Sequence, residues 1–299
     1  MGRAAVSYRF KRLPSSFRYY PRAMFGKRAA LVPDGQKVPR LEASVEAVAT
    51  RRSHLARYRQ VCGFGDDGQL PITYPHVLAM PLHVALLTHP QFIVRLMGLI
   101  HVANEIHQVR ALPVCGSLRL RSWIEGHRDS DRGHEFELFT EAADREGTAW
   151  HEKSTLLARR PAGSGGRSAR SARQALRYEK PTATDLPVMT DIEVPRSVGR
   201  RYGWLSGDLN PIHLGDRGAR LFGFDRAVAH GMWSMARTLA ALGSDVLAAP
   251  VRVHVDFKFP LFLPNIGHLE HWPRDGRRLF VLKDAETERP HLAGSTRPG

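Results

Sequence analysis

Apolar and polar residues alternate along "VRVHVDFKF" (Val251–Phe259), the period of a strand with one buried face. "GHLEHW" and "RRLFVLKDAET", separated by the turn "PRDG", predict further strands. Ahead of them, "HGMWSMARTLAAL" changes period. Met232, Met235, Ala236, Leu239 and Ala240 recur at helical spacing, and Gly243 supplies a stop. The first part of the chain repeats this order. "VLAMPLHVALL" predicts a long apolar helix, followed by strands at "SLRLRSWIEGHR", "HEFELFTEAADR" and "TAWHEKSTLLARR". A long helix against a run of antiparallel strands, met twice, is an α+β pattern.

The stretch "RRPAGSGGRSARSARQALRYEKP" (Arg159–Pro181) has no apolar period until its end and reads as a linker. The chain then divides into a basic amino-terminal arm (1–40), a first unit (41–160), a linker (161–182) and a second unit (183–299). The units resemble each other. "SHLARYRQVCGF" lies over "SVGRRYGWLSGD", matching Tyr58 to Tyr202, Gly63 to Gly207 and Phe64 to Asp208. "HVANEIHQVRALP" lies over "HVDFKFPLFLP" and gives His101 and His254 equivalent strand positions, where both read as structural. The shared order predicts an internal duplication.

With 299 residues, 42% of them hydrophobic, the chain can bury a real core, which excludes global disorder. Cys62 and Cys115 lack metal-ligand spacing and are too few for a disulfide framework, so a reducing cytoplasm is expected. The basic amino terminus has no continuous apolar stretch of the secretory type. The most apolar run, Val77–Ala103, is broken by prolines, histidines and Arg95, so no membrane span is expected. A net charge of +15 attracts anions: nucleic acid, coenzyme phosphates or an acidic carrier protein. The absence of zinc-finger, RNP or helix-turn-helix signatures argues against nucleic acid. Much of the arginine excess sits in the arm and linker, where a solvated role accounts for it.

The chemistry-bearing stretch is "YGWLSGDLNPIHLGDRGARLFGFDRAVAHGMW" (Tyr202–Trp233). An aromatic residue, a Ser-Gly-Asp turn, Asn-Pro-Ile-His, a small residue at Ala219, the pair Gly223–Phe224 and "AHGM" follow in order. This pattern resembles the hydratase motif of the MaoC-like, or (R)-specific enoyl-CoA hydratase, family. The resemblance implies a double hot-dog fold: two long helices, each wrapped by antiparallel strands, in one continuous sheet. It implies reversible hydration of a trans-2-enoyl thioester to a (R)-3-hydroxyacyl thioester, with fatty acid metabolism as the setting. Asp208 and His213 would be the catalytic dyad, Asn210 its support and the Gly231 N–H the oxyanion donor. Tyr202, Ser206, Phe224, His230, Met232 and Trp233 fall at motif positions beside the substrate. Taken singly, His230 reads as structural, and Met232 and Trp233 as core or tunnel wall.

The residues carry that chemistry. His213 moves protons near neutrality. Pro211 restricts the turn that brings Asp208 towards it. Asn210 can orient a partner without titrating. First-turn amides such as that of Gly231 have no internal acceptor and favour negative charge. The first unit has Phe64 in place of Asp208 and no Asn-Pro-x-His. Pro81 falls where Gly231 falls, at a predicted helix start without an N–H to give, so a non-catalytic unit that shapes the acyl tunnel is expected. No metal or cofactor is expected beyond coenzyme A or acyl carrier protein as the substrate's carrier, and a homodimer is compatible with the pattern. Lys258 could meet a coenzyme phosphate or be a solvated strand lysine. The rival readings are a hot-dog thioesterase and a non-catalytic acyl-thioester-binding protein.

Overall fold

The computed structural model describes residues 6–160 and 178–299, so most of the expected linker lies outside the described residues. Twelve strands form one sheet. In chain order they are β1 (Val6–Phe10), β2 (Leu41–Ala49), β3 (Leu99–Gln108), β4 (Ser117–Ile124), β5 (Arg128–Ser130), β6 (Gly133–Asp144), β7 (Gly147–Arg159), β8 (Val188–Val194), β9 (Val251–Phe257), β10 (Asn265–Arg274), β11 (Arg277–Asp284) and β12 (Pro290–Pro298). The spatial order is β1-β2-β4-β6-β7-β3-β9-β12-β11-β10-β8, with β5 beside β6. All pairs are antiparallel except β1–β2. The strands before the linker and those after it meet at β3 and β9, where Ala103 faces Asp256 and Gln108 faces Val251. One sheet thus runs through both halves, the double hot-dog architecture.

Among the described residues the α-helices are α1 (Tyr20–Phe25), α2 (Arg52–Cys62), α3 (Tyr74–Leu87), α4 (Val198–Ser206), α5 (Pro211–Leu214), α6 (Asp216–Arg220) and α7 (Gly231–Leu242). The stripe read from the sequence buries Met232, Met235, Ala236 and Leu239 on α7. Helix α3 is buried nearly all round. The duplication shows in the two leading helices. α2 and α4 each end on a left-handed glycine, Gly63 at φ +83° and Gly207 at φ +78°. The next residues are Phe64 and Asp208, as aligned. The halves are stitched together by Trp233 Nε1, which donates to the Val61 carbonyl at 2.9 Å, and by His54 Nε2, 2.9 Å from the Leu205 carbonyl.

Three readings need correction. Pro81 is inside α3, not at its start. The helix begins earlier because Pro75 occupies its first turn, and Tyr74, not Pro81, holds the place of Gly231. Its amide is occupied, donating to the Pro71 carbonyl at 2.8 Å. His101 and His254 are not equivalent. A register shift between His101 and Ala103 turns the His101 ring inward onto Phe257, 4.8 Å between centroids, whereas His254 faces outward near Asp256. The arm, finally, is more than a solvated tail: β1 extends the sheet, and Tyr20 reaches the second half.

Candidate active site

Helix α4 is the platform. Gly199 and Gly203 stand one turn apart and let the following loop lie on its backbone. A Cβ at Gly199 would collide with the His213 carbonyl, and one at Gly203 would stand 3.0 Å from the Asp208 carbonyl. After Gly207, Ser206 Oγ accepts the Asp208 N–H at 3.2 Å, and Asp208 Oδ1 accepts the Asn210 N–H at the same distance. Asn210 then caps α5, its Oδ1 accepting from the Ile212 amide at 3.4 Å. Tyr20 clamps this loop from the arm. Its hydroxyl donates to the Gly207 carbonyl at 2.9 Å and accepts the Leu209 N–H at 2.7 Å.

His213 Nδ1 lies 2.7 Å from the Val228 carbonyl. A carbonyl only accepts, so Nδ1 carries the proton and Nε2 is left with a bare lone pair. Burial pulls the His213 imidazole below its ordinary 6.5, against the opposing pull of Asp208 and the Val228 bond. Burial works to raise the Asp208 carboxyl, but the imidazoles of His230 and His213 and the Asn210 amide bring it below its ordinary range. The resting pair is a carboxylate and a neutral imidazole.

His230 precedes α7 and stacks on His213, with centroids 3.8 Å apart. Its Nε2 donates to the Asp208 carbonyl at 3.1 Å, and burial first, then His213, push it down to about 3. It is a neutral strut. Its side chain does not cap α7, so the first-turn amides, Gly231 included, keep their uncompensated positive end. The Phe257 ring packs where a Gly231 Cβ would stand, 3.2 Å away. Asp208, His213 and His230 present ligand-type atoms within 4.8 Å of one another, a set that could hold a metal ion. The His230 Nε2–H is spent on the Asp208 carbonyl, which takes that nitrogen out of a ligand set.

The remaining expected residues are placed unevenly. Tyr202 is buried against His230, with centroids 5.0 Å apart; Ser206 holds the loop; Trp233 joins the halves. Met232 is buried on α7, and Phe224 packs edge-on to Phe262. Lys258 is neither solvated nor free. Its side chain is 9% exposed, and its ammonium pairs with Asp256 at 3.0 Å. Sequence reasoning missed Tyr20 and the pair Gly199–Gly203. It also missed a buried polar cluster in the first half. There Glu152 accepts from Asn104 Nδ2 at 2.8 Å and lies 2.8 Å from His76 Nδ1. His76 bears electrostatically on Asp208.

A double hot-dog with a carboxylate–imidazole pair beside an uncapped helix start defines the class. The chain belongs to the MaoC-like dehydratase family. The MaoC like domain matches residues 171–294. The chain is 30% identical to 3-hydroxyacyl-thioester dehydratase X of Mycobacterium tuberculosis over 95% of its length and 98% of that protein. The crystal structure of the mycobacterial protein HtdX superposes with a TM-score of 0.72, at 30% identity, covering 86% of this chain and 99% of that one. A MaoC-like dehydratase from Phytophthora capsici shares the fold at TM-score 0.67 and 19% identity, covering 86% and 95% of the two chains. So does a M. tuberculosis protein described as a double hot-dog, at TM-score 0.52 and 13% identity, covering 89% and 95%.

Proposed function

We propose that this chain is a hydro-lyase that adds water reversibly to trans-2-enoyl thioesters, giving (R)-3-hydroxyacyl thioesters. Coenzyme A is the carrier we favour, acyl carrier protein being the alternative, and the free thiols Cys62 and Cys115 suit a reducing cytoplasm. Among the described residues no helix is long and apolar enough to cross a membrane. The observation that carries the reading is the fixed tautomer of His213 next to an ionised Asp208. Two acceptors hold the two O–H groups of one water. As its oxygen bonds to the β carbon, the dyad takes one proton and a proton is delivered to the α carbon. The negative charge that builds on the thioester oxygen is met by the Gly231 N–H, a contribution of about 3 kcal/mol for such a donor. The reading gives the proton transfers to Asp208 and His213 and needs no resident metal or redox group. Phe64 follows Gly63 where Asp208 follows Gly207, and the Tyr74 amide is already bonded, so we assign the first half a non-catalytic role.

The test monitors loss of enoyl absorbance and thiol release together on enoyl-CoA substrates, with stereochemical analysis of the product. Hydration without thiol release is expected. Asp208→Asn and His213→Ala should each lower kcat by about 10²–10⁴-fold while circular dichroism is unchanged. Thiol release with the enoyl absorbance untouched would show a thioesterase instead.

A further inference from the structure

On the face of the sheet opposite the dyad, a groove of about 360 Å³ crosses the junction of the two halves. That volume is the size of a small-molecule site. Its floor is set by register. His151 on β7 faces His107 on β3, His107 faces Arg252 on β9, and Arg252 faces Arg297 on β12. Residues directly opposite across a ladder project to the same face, so these four side chains form one row across the strands. With strands ~4.8 Å apart, the row is about 14 Å long.

The row is unbalanced. Arg252 and Arg297 are like charges directly opposite each other, an arrangement that costs stability. Neither arginine forms an ion pair with any described residue. The neighbouring acids, Glu105 on the groove wall among them, already have cationic partners other than Arg252 and Arg297. Glu105 pairs with Lys153 at 2.7 Å and stands 3.9 Å from His254. Glu141 stands 3.7 Å from Arg121 and 3.6 Å from His151. The His107 and His151 rings stack at 6.0 Å and add N–H donors beside the guanidiniums. A solvated basic surface spreads its charge; here two unpaired guanidiniums and two imidazoles line one concavity.

We propose that this groove binds a small anion bearing two or more phosphate groups, held by Arg252 and Arg297 and hydrogen-bonded by His107 and His151. Guanidinium forks match phosphate oxygens in pairs, and a row this long seats a di- or triphosphate but not a lone phosphate along its whole length. The site is separate from the dyad, and the inference does not depend on the reaction assigned above.

The experiment is isothermal titration of the full chain with inorganic tripolyphosphate and, separately, with 3′-phospho-ADP. The second arm asks whether the phosphates of a coenzyme A carrier are the source. One equivalent should bind. R252Q/R297Q should bind at least about tenfold more weakly. R12Q/R57Q, which removes the same charge from exposed positions elsewhere, should stay within about twofold. If the groove double variant does not fold, Arg297→Gln alone, on an exposed position near the end of β12, should still weaken binding about threefold or more. Equal weakening in the two double variants would reduce the site to diffuse charge and end the proposal. So would no binding of either probe, or binding of duplex DNA alone.

Discussion

Gly199 and Gly203 carry no functional group, yet they set where the loop bearing Asp208 and His213 can lie. Each faces a carbonyl of the catalytic loop, and at Gly199 a methyl group has no room before the His213 carbonyl. Gly199→Ala should therefore displace His213 and lower kcat by about 10²-fold, the effect of a misplacement near 1 Å. Gly203→Ala, with 3.0 Å to the Asp208 carbonyl, should cost less. Kinetics of the two variants beside circular dichroism decide the point; equal kcat in both would refute the steric argument. The dyad also sets a pH profile. In the proposed mechanism turnover uses neutral His213, whose burial places it below 6.5, and ionised Asp208, also depressed. As pH falls the base form of His213 persists past the ordinary imidazole range, so the acid limb of kcat/KM should lie below 6.5. An acid limb above that value would mean a different base. That Asp208 and His213 converge was legible in the sequence, from their spacing around Pro211 and from the motif they resemble. The glycines were not, because their requirement is a contact with a loop that is created only by folding.

At the scale of elements, the catalytic loop is fixed from two sides: by α4 beneath it and by the arm above. The arm is basic and irregular, and nothing in its composition announces that Tyr20 bonds both sides of Asp208. Burial first, and then the nearby charge of Asp208, raise the Tyr20 phenol well above its ordinary value, so it stays protonated and can donate. Tyr20→Phe removes one donor and leaves the Gly207 carbonyl and the Leu209 amide without their partner. Stability should fall by about 1–3 kcal/mol, and kcat should fall by more than KM rises, because the loop loses its aim. Urea denaturation and steady-state kinetics on the same variant separate the two effects. A variant with wild-type kcat would make the arm a structural edge only. Pro81, too, takes its place from its surroundings. A proline in an apolar run signals a helix start, but Pro75 satisfies that preference six residues earlier, and burial of α3 carries the helix through the second proline.

Across the whole molecule, the two halves bury histidines that stay neutral. His83 is brought down to about 3, His101 to about 4 and His230 to about 3, in each case by burial above all. The duplication alignment could not expose this, since it paired His101 with a surface histidine; the register shift that turns the ring inward is a property of the β3–β7 ladder. The consequence is a stability that depends on pH in a definite window. Above the unfolded-state value of about 6.5 these groups are neutral in both states and contribute no slope. Below it the unfolded chain takes up protons that the folded chain cannot, and stability falls until the folded-state values are reached. At pH 5 each such group favours unfolding by about 2 kcal/mol, a large loss against a total of roughly 5–15. Carboxylates with depressed values, such as Glu152, act in the same direction but only below their ordinary 4.5, so the interval from pH 6.5 to 5 isolates the histidines. Urea denaturation at pH 7.5 and at pH 5.0 should show the loss. His83→Leu should shrink the difference between the two pH values by about 2 kcal/mol, whatever it does to stability at pH 7.5 by leaving Thr140 only its bond to Ser122. An unchanged difference in that variant would mean that His83 titrates normally and is reached by water.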